Sequence, residues 1–248
     1  MLTTLKKLVG RGLRRVLRSR GYTMVKMAAA RPEDTMDGAI EGLAKRGHVF
    51  GTVIDVGASN GSWTRSFMQH FPNCQYLLVE AQPVHEPALV RFSGEFRNVQ
   101  FALAAAAEAP GTLFFDASDP LGGQASYTPY KANNIEVPVI TIDGEVRTRA
   151  LAGPYLIKLD THGFELPILR GAVKTLRETD AIIVECYNFR LTPDSLLFFE
   201  MCNYLKEQGF RCIDLVDSMH RPHDGAFWQM DLVFVRDSRP EFSWTEYA

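Results

Sequence analysis

The fold that this sequence predicts is an α/β domain with a mostly parallel sheet and helices on both of its faces. From residue 52 onward, short apolar runs alternate with stretches of helical period. The apolar runs are nearly unbroken, as strands are when both faces of a parallel sheet are covered. The first run leads straight into a glycine-rich turn, VIDVGASNGSW, Val53 to Trp63, which belongs at the ligand edge of such a sheet.

The elements follow in order. Leu2, Leu5, Val9 and Val16 recur near helical spacing, and basic residues fill the other side, although Gly10 and Gly12 weaken the helix. This amphipathic segment either packs on the domain or on a second subunit, making a homo-oligomer, or lies against an anionic membrane surface through residues 1–26. Strands are expected over 52–56, 75–80, 99–104, 155–160, 181–186, 211–216 and 231–236, which makes seven. Helices are expected over 62–70, 83–92, 165–178 and 193–208, with Leu166, Leu169, Val173 and Leu176 as a core stripe. Residues 112–116 and 137–142 read as extra strands. Between them ASDPLGGQASYTPYKANN reads as a loop inserted near the ligand end of the sheet, where it would carry specificity. The organisation is therefore a helical segment at 1–46, a main domain at 47–240 with its insert at about 112–142, and a tail at 241–248.

Charge narrows the function. The chain has 248 residues and a formal net charge of −2, but eight of its 27 basic residues lie within 1–26, where there is no acid. The rest sets 19 basic residues against 29 acids. An acidic main domain lacks the footprint of a nucleic-acid partner. Cys74, Cys186, Cys202 and Cys212 form no C-x-x-C pair and read as reduced thiols of a cytoplasmic protein. No run reaches the length of a membrane span, and no secretory signal core is present.

Three ligands compete for the glycine turn. A phosphate loop needs Gly-Lys-Ser/Thr, and Gly61-Ser62-Trp63 lacks the lysine. A dinucleotide needs G-x-G-x-x-G, and Ala58 stands where the second glycine would be, while Asp55 would repel the pyrophosphate. S-adenosylmethionine carries an ammonium and a sulfonium and no phosphate, so an acid suits it. Asp55 attracts its methionine end, Gly57 and Gly61 let backbone approach it, and Asn60 offers a hydrogen bond. Glu80 ends the second strand 19 residues past Gly61, placed for ribose hydroxyls, with Ala81 beside it.

The motifs D-V-G-A-S-N-G at 55–61, V-E-A-Q-P at 79–83, I-K-L-D-T-H-G-F-E-L-P-I-L-R-G-A at 157–172 and A-I-I-V-E at 181–185 resemble the FkbM-type methyltransferases. The resemblance runs from about Gly51 to Arg236, and the 157–172 block is its specific part. It implies a seven-stranded, Rossmann-like class I methyltransferase fold. It also implies S-adenosylmethionine as cofactor and O-methylation of sugars, glycans or natural products. This chain has His162 where the family often has an acid, and Ala81-Gln82-Pro83 where it often has Pro-Asn-Pro.

A hydroxyl acceptor calls for a general base. Asp160 and His162 follow the fourth strand, and an imidazole titrates near neutrality. Asp160 could orient it, and Glu185 ends the next strand at the same edge. Lys158, inside a strand, suits a buried pair with an acid. Glu165 suits the first turn of a helix. Asp160, His162 and Glu185 have no fixed metal-ligand spacing, and His220, His223 and Asp224 read as loop residues, so no metal is expected. Trp228 and Gln229 could pack over a sugar ring. Two other functions stay open: a nucleic-acid methyltransferase, disfavoured by D-T-H-G where base methylases carry Asn/Asp-Pro-Pro-aromatic, and a non-catalytic cofactor-binding protein.

Overall fold

A computed structural model describes residues 34–131 and 134–247. The basic segment 1–26 lies outside the described residues. The first described helix, α1 (Met36–Lys45), is capped by Thr35, whose Oγ1 accepts the Gly38 amide at 3.1 Å. It buries Ala39, Ile40 and Leu43 in the same apolar cluster as Val53 and Phe67. No helix among the described residues is long and apolar enough to cross a membrane.

The main sheet has seven strands: β1 (Thr52–Val56), β2 (Gln75–Glu80), β3 (Val99–Leu103), β8 (Tyr155–Leu159), β9 (Thr179–Tyr187), β10 (Phe210–His220) and β11 (Phe227–Arg236). Their spatial order is β10-β11-β9-β8-β1-β2-β3, and β11 is antiparallel to both of its neighbours. The other pairings are parallel. Helices α2 (Ser62–Phe67), α3 (Glu86–Glu95), α5 (Glu165–Arg170), α6 (Val173–Arg177) and α7 (Phe198–Glu207) connect these strands. Alternation sends Ile54, Ile157 and Ile182 to one core and Val53, Leu156 and Ile183 to the other. This is the expected mostly parallel, doubly covered sheet.

The insert is more ordered than expected. It holds β4 (Ala105–Ala106), β5 (Gly111–Asp116), β6 (Gln124–Ser126) and β7 (Asn134–Ile140), in the order β4-β7-β5-β6. Strand β6 lies inside the stretch expected as loop. The strand expected to reach residue 142 stops at Ile140, because Thr141 caps an unforeseen helix, α4 (Ile142–Thr148), by accepting the Gly144 amide at 3.0 Å. Ala106 faces Ile140 in the β4–β7 ladder, so the insert leaves and rejoins the domain at one place.

All four expected helices differ in their bounds; the one expected over 83–92 is a 3₁₀ turn at Pro83–His85 followed by α3 to Glu95. The helix expected over 165–178 is two, α5 and α6, separated at Gly171–Ala172. A side chain on Gly171 would begin 2.0 Å from the Ala107 carbonyl, so the chain bends where it crosses the insert's root. The break shifts the helical phase: Leu169 and Leu176 stay buried, but Val173 is 51% exposed. Helix α7 starts at Phe198 rather than 193, where the Glu200 carboxylate reaches back to the Leu197 amide at 2.8 Å. The helix expected over 62–70 ends at Phe67 and continues as a turn.

Candidate active site

The C-terminal ends of β1, β2 and β8 open onto a cavity of about 240 Å³. Gly57, Ala58 and Ser59 form one wall. Glu80, Ala81 and Gln82 form the second, and Lys158, Asp160 and His162 the third. The insert supplies a roof at Pro120, Leu121 and Gly123.

The glycine turn is built against β8. Gly57 has φ +78°, and a Cβ there would lie 1.9 Å from the Asp160 carbonyl oxygen. Only glycine lets the turn sit so low. Glu80 holds the turn from the other side: its Oε2 accepts the Ser59 amide and its Oε1 the Gln82 amide, each at 2.7 Å. Both oxygens keep lone pairs for further donors at the cavity wall.

Asp55 lies one layer behind the cavity. It is fully buried, its Oδ2 accepts the Thr64 hydroxyl at 2.6 Å, and its Oδ1 stands 3.4 Å from Lys158 Nζ. Asn60 is exposed and folds back to accept the Ser62 amide at 3.0 Å, and Gly61 caps α2; neither lines the cavity. Ala58, Glu80 and Ala81 do line it.

Lys158 is the buried partner that its place in a strand suggested. Register sets it opposite Asp55, and its ammonium donates to Asp160 Oδ2 at 3.0 Å. Burial works against its charge, but the two carboxylates win and hold its pKa above the ordinary value. Burial likewise opposes ionisation of Asp160, yet Lys158 outweighs it and keeps this acid below the usual carboxylate range.

The structure brings Asp160, His162 and Glu185 together. His162 Nε2 is 3.8 Å from Asp160 Oδ1 and 3.8 Å from Glu185 Oε2. The ring is held at backbone φ +54°, and its Nδ1 lies 3.3 Å from the Gly123 carbonyl. A carbonyl can only accept, so Nδ1 carries the proton and Nε2 of the neutral ring presents a lone pair. Glu165 closes the turn from below, accepting the Gly163 amide at 3.0 Å and the Thr161 hydroxyl at 3.1 Å at the start of α5, as expected.

Glu185 has supports that sequence reasoning missed. Tyr187 donates its hydroxyl to Oε2, and Gln229 donates its amide to Oε1. Asp231 faces Glu185 across the β9–β11 ladder. Burial, reinforced by the Asp160 charge, pushes Glu185 up to about 9 and Asp231 up to about 7. These neighbours follow from antiparallel register, which the separate runs do not display. Beyond Tyr187 the rings continue: Trp228 meets Tyr187 edge-on at 5.9 Å and stacks on Phe189 at 5.1 Å. His220, His223 and Asp224 surround a surface turn in which Arg221 pairs with Asp224 at 2.6 Å. His220 ends β10 instead of starting the loop.

Residues 55–212 match the family described as Methyltransferase FkbM domain. The chain belongs to the FkbM methyltransferase family. No curated protein matches this FkbM methyltransferase. Among solved structures it is similar to a fibrillarin pre-rRNA processing protein of Methanococcus jannaschii, with 12% identity, a TM-score of 0.48, and coverage of 75% of this chain and 66% of that one. It is also similar to a precorrin-6y C5,15-methyltransferase of Geobacter metallireducens, with 13% identity, a TM-score of 0.44, and coverage of 88% and 95%. A third is the 1,6-didemethyltoxoflavin-N1-methyltransferase of Burkholderia thailandensis, with 15% identity, a TM-score of 0.45, and coverage of 85% and 79%.

The cofactor of the FkbM methyltransferase is S-adenosylmethionine, the source of the transferred methyl group. The cavity fits it. Glu80 lines the cavity with carboxylate lone pairs to spare, Gly57 brings no side chain to it, and no phosphate-binding lysine is present in the turn.

Proposed function

We propose that this methyltransferase acts on a hydroxyl oxygen of a sugar, glycan or natural product. One observation carries the reading: the Asp160–His162–Glu185 cluster stands where the donor cavity meets the insert, with the His162 Nε2 lone pair facing both carboxylates. A hydroxyl must lose its proton as it attacks the methyl carbon, and this cluster is the group that draws it away. Trp228, half-buried and stacked on Phe189, is the aromatic ring near this cluster that suits the apolar face of a sugar ring. Residues 1–26, with eight basic side chains and no acid, would hold the enzyme to an anionic membrane surface on the cytoplasmic side, where lipid-linked glycans are acceptors.

The test is transfer of labelled methyl from the donor to a panel of sugars, lipid-linked glycans, hydroxylated natural products and RNA. Label on a hydroxyl oxygen supports the reading; label on nucleic acid alone overturns it. Vesicle flotation with and without residues 1–26 tests the membrane contact, and equal flotation removes it.

A further inference from the structure

We propose that Asp160, His162 and Glu185 bind one divalent cation, which receives the acceptor oxygen in an open coordination position. The ligand atoms of the three residues lie within 4.8 Å of one another, a span that one ion can bridge. His162 Nε2 bears a lone pair because Nδ1–H is committed to the Gly123 carbonyl, and it faces Asp160 Oδ1 and Glu185 Oε2 at 3.8 Å each. The nearby donors are spent elsewhere: the Lys158 ammonium goes to Asp160 Oδ2 and the Gln229 amide to Glu185 Oε1. The Tyr187 hydroxyl takes one lone pair of Glu185 Oε2 and leaves another. Outer contacts of this kind orient the ligands of metal centres.

The imidazole suits a first-row transition ion and the two carboxylates suit Mn²⁺ as well, which makes Mn²⁺ a fitting probe of the site. Three protein ligands leave positions open, and Asp160 and His162 border the cavity from which an acceptor would come. With the cation bound, His162 is a ligand and not a base; the ion would acidify the hydroxyl, whose proton would leave to water. Only this catalytic use rests on the hydroxyl-acceptor reading; cation binding stands apart from it.

The experiment is a titration of the full chain, stripped of metal by chelation, with Mn²⁺. It is followed by electron paramagnetic resonance and by pulsed detection of a coordinated nitrogen. S-adenosylmethionine titration of the same samples reports whether the donor site is intact. The expected result is one Mn²⁺ per chain with a nitrogen coupling, and affinity at least tenfold weaker in Asp160→Asn and His162→Ala. Loss of that coupling in His162→Ala completes the assignment. A wild-type chain that binds the donor but takes up no Mn²⁺, or takes it up without a nitrogen coupling, overturns the cation site and leaves the methyltransferase reading intact. The wild-type nitrogen coupling decides the matter even where a variant fails to fold.

Discussion

A side chain on Gly57 would begin 1.9 Å from the carbonyl oxygen of Asp160, so the glycine turn after β1 rests directly on the residue that follows β8. Gly57→Ala therefore meets two costs. The left-handed backbone is worth about 1–2 kcal/mol against any other residue, and the overlap with β8 comes on top of it. The expected outcome is a loss of more than about 2 kcal/mol of stability in chemical denaturation, with donor binding abolished. A stable variant that still binds S-adenosylmethionine would contradict the packing.

Lys158→Met leaves Asp55 and Asp160 without their counter-charge. Breaking a buried pair from one side costs on the order of 3–5 kcal/mol. Adding Asp55→Asn should recover part of that loss, because the two residues are coupled. Strict additivity in this double-mutant cycle would argue against the pair.

Gln82 donates to the carbonyls of Asp119 and Pro120, each at 3.1 Å, and so pins the roof of the cavity to the end of β2. Each such bond is worth about 1 kcal/mol. Gln82→Ala is expected to raise the acceptor KM by about fivefold or more while leaving donor affinity within about twofold. Equal effects on both ligands would mean that the roof serves the donor.

Loss of the imidazole should show in turnover. His162→Ala is expected to lower kcat by a factor on the order of 10²–10⁴ without changing the donor Kd, read by steady-state kinetics and calorimetry. An unchanged kcat would remove the cluster from the chemistry.

Asp231 is lifted from 3.8 to about 7 by burial, with Asp160 adding to it and Lys158 opposing. Its folded pKa is above its unfolded one, so the folded state holds a proton that the unfolded chain releases. Stability is then greatest below about pH 4 for this group and falls as pH rises through about 7. Asp231→Asn is expected to flatten the dependence of Tm on pH across that window. A slope identical to that of the wild type would show that Asp231 ionises freely in the fold.

The strands were legible because a strand covered on both faces must be written as an apolar run: all five residues of β1 are buried, and so are all five of β8. The place of Glu80 at the end of β2 was legible from its distance along the chain, since a strand, a turn and a helix have nearly fixed lengths. The break at Gly171 was not legible, because its cause is the Ala107 carbonyl, 64 residues away. The supports of Glu185 were hidden for the same reason: Gln229 and Asp231 reach it through the register of β9 against β11. Asp55 shows the limit of motif reading. An acid inside an apolar run announced a charged partner, but that partner is Lys158 as much as any ligand.

Ala106 and Ile140 are paired across the β4–β7 ladder, and the Ala107 amide donates to the Ile140 carbonyl at 2.9 Å. The roof residues lie between them, yet the two ends of that segment meet. A chimera could exchange residues 107–140 for the corresponding cassette of a relative without opening the seven-stranded sheet, whose strands all lie outside that span. Such a design would set a new roof over an unaltered glycine turn and β2 end. A lineage could take the same route, diversifying what is methylated while the machinery that supplies the methyl group stays as it is.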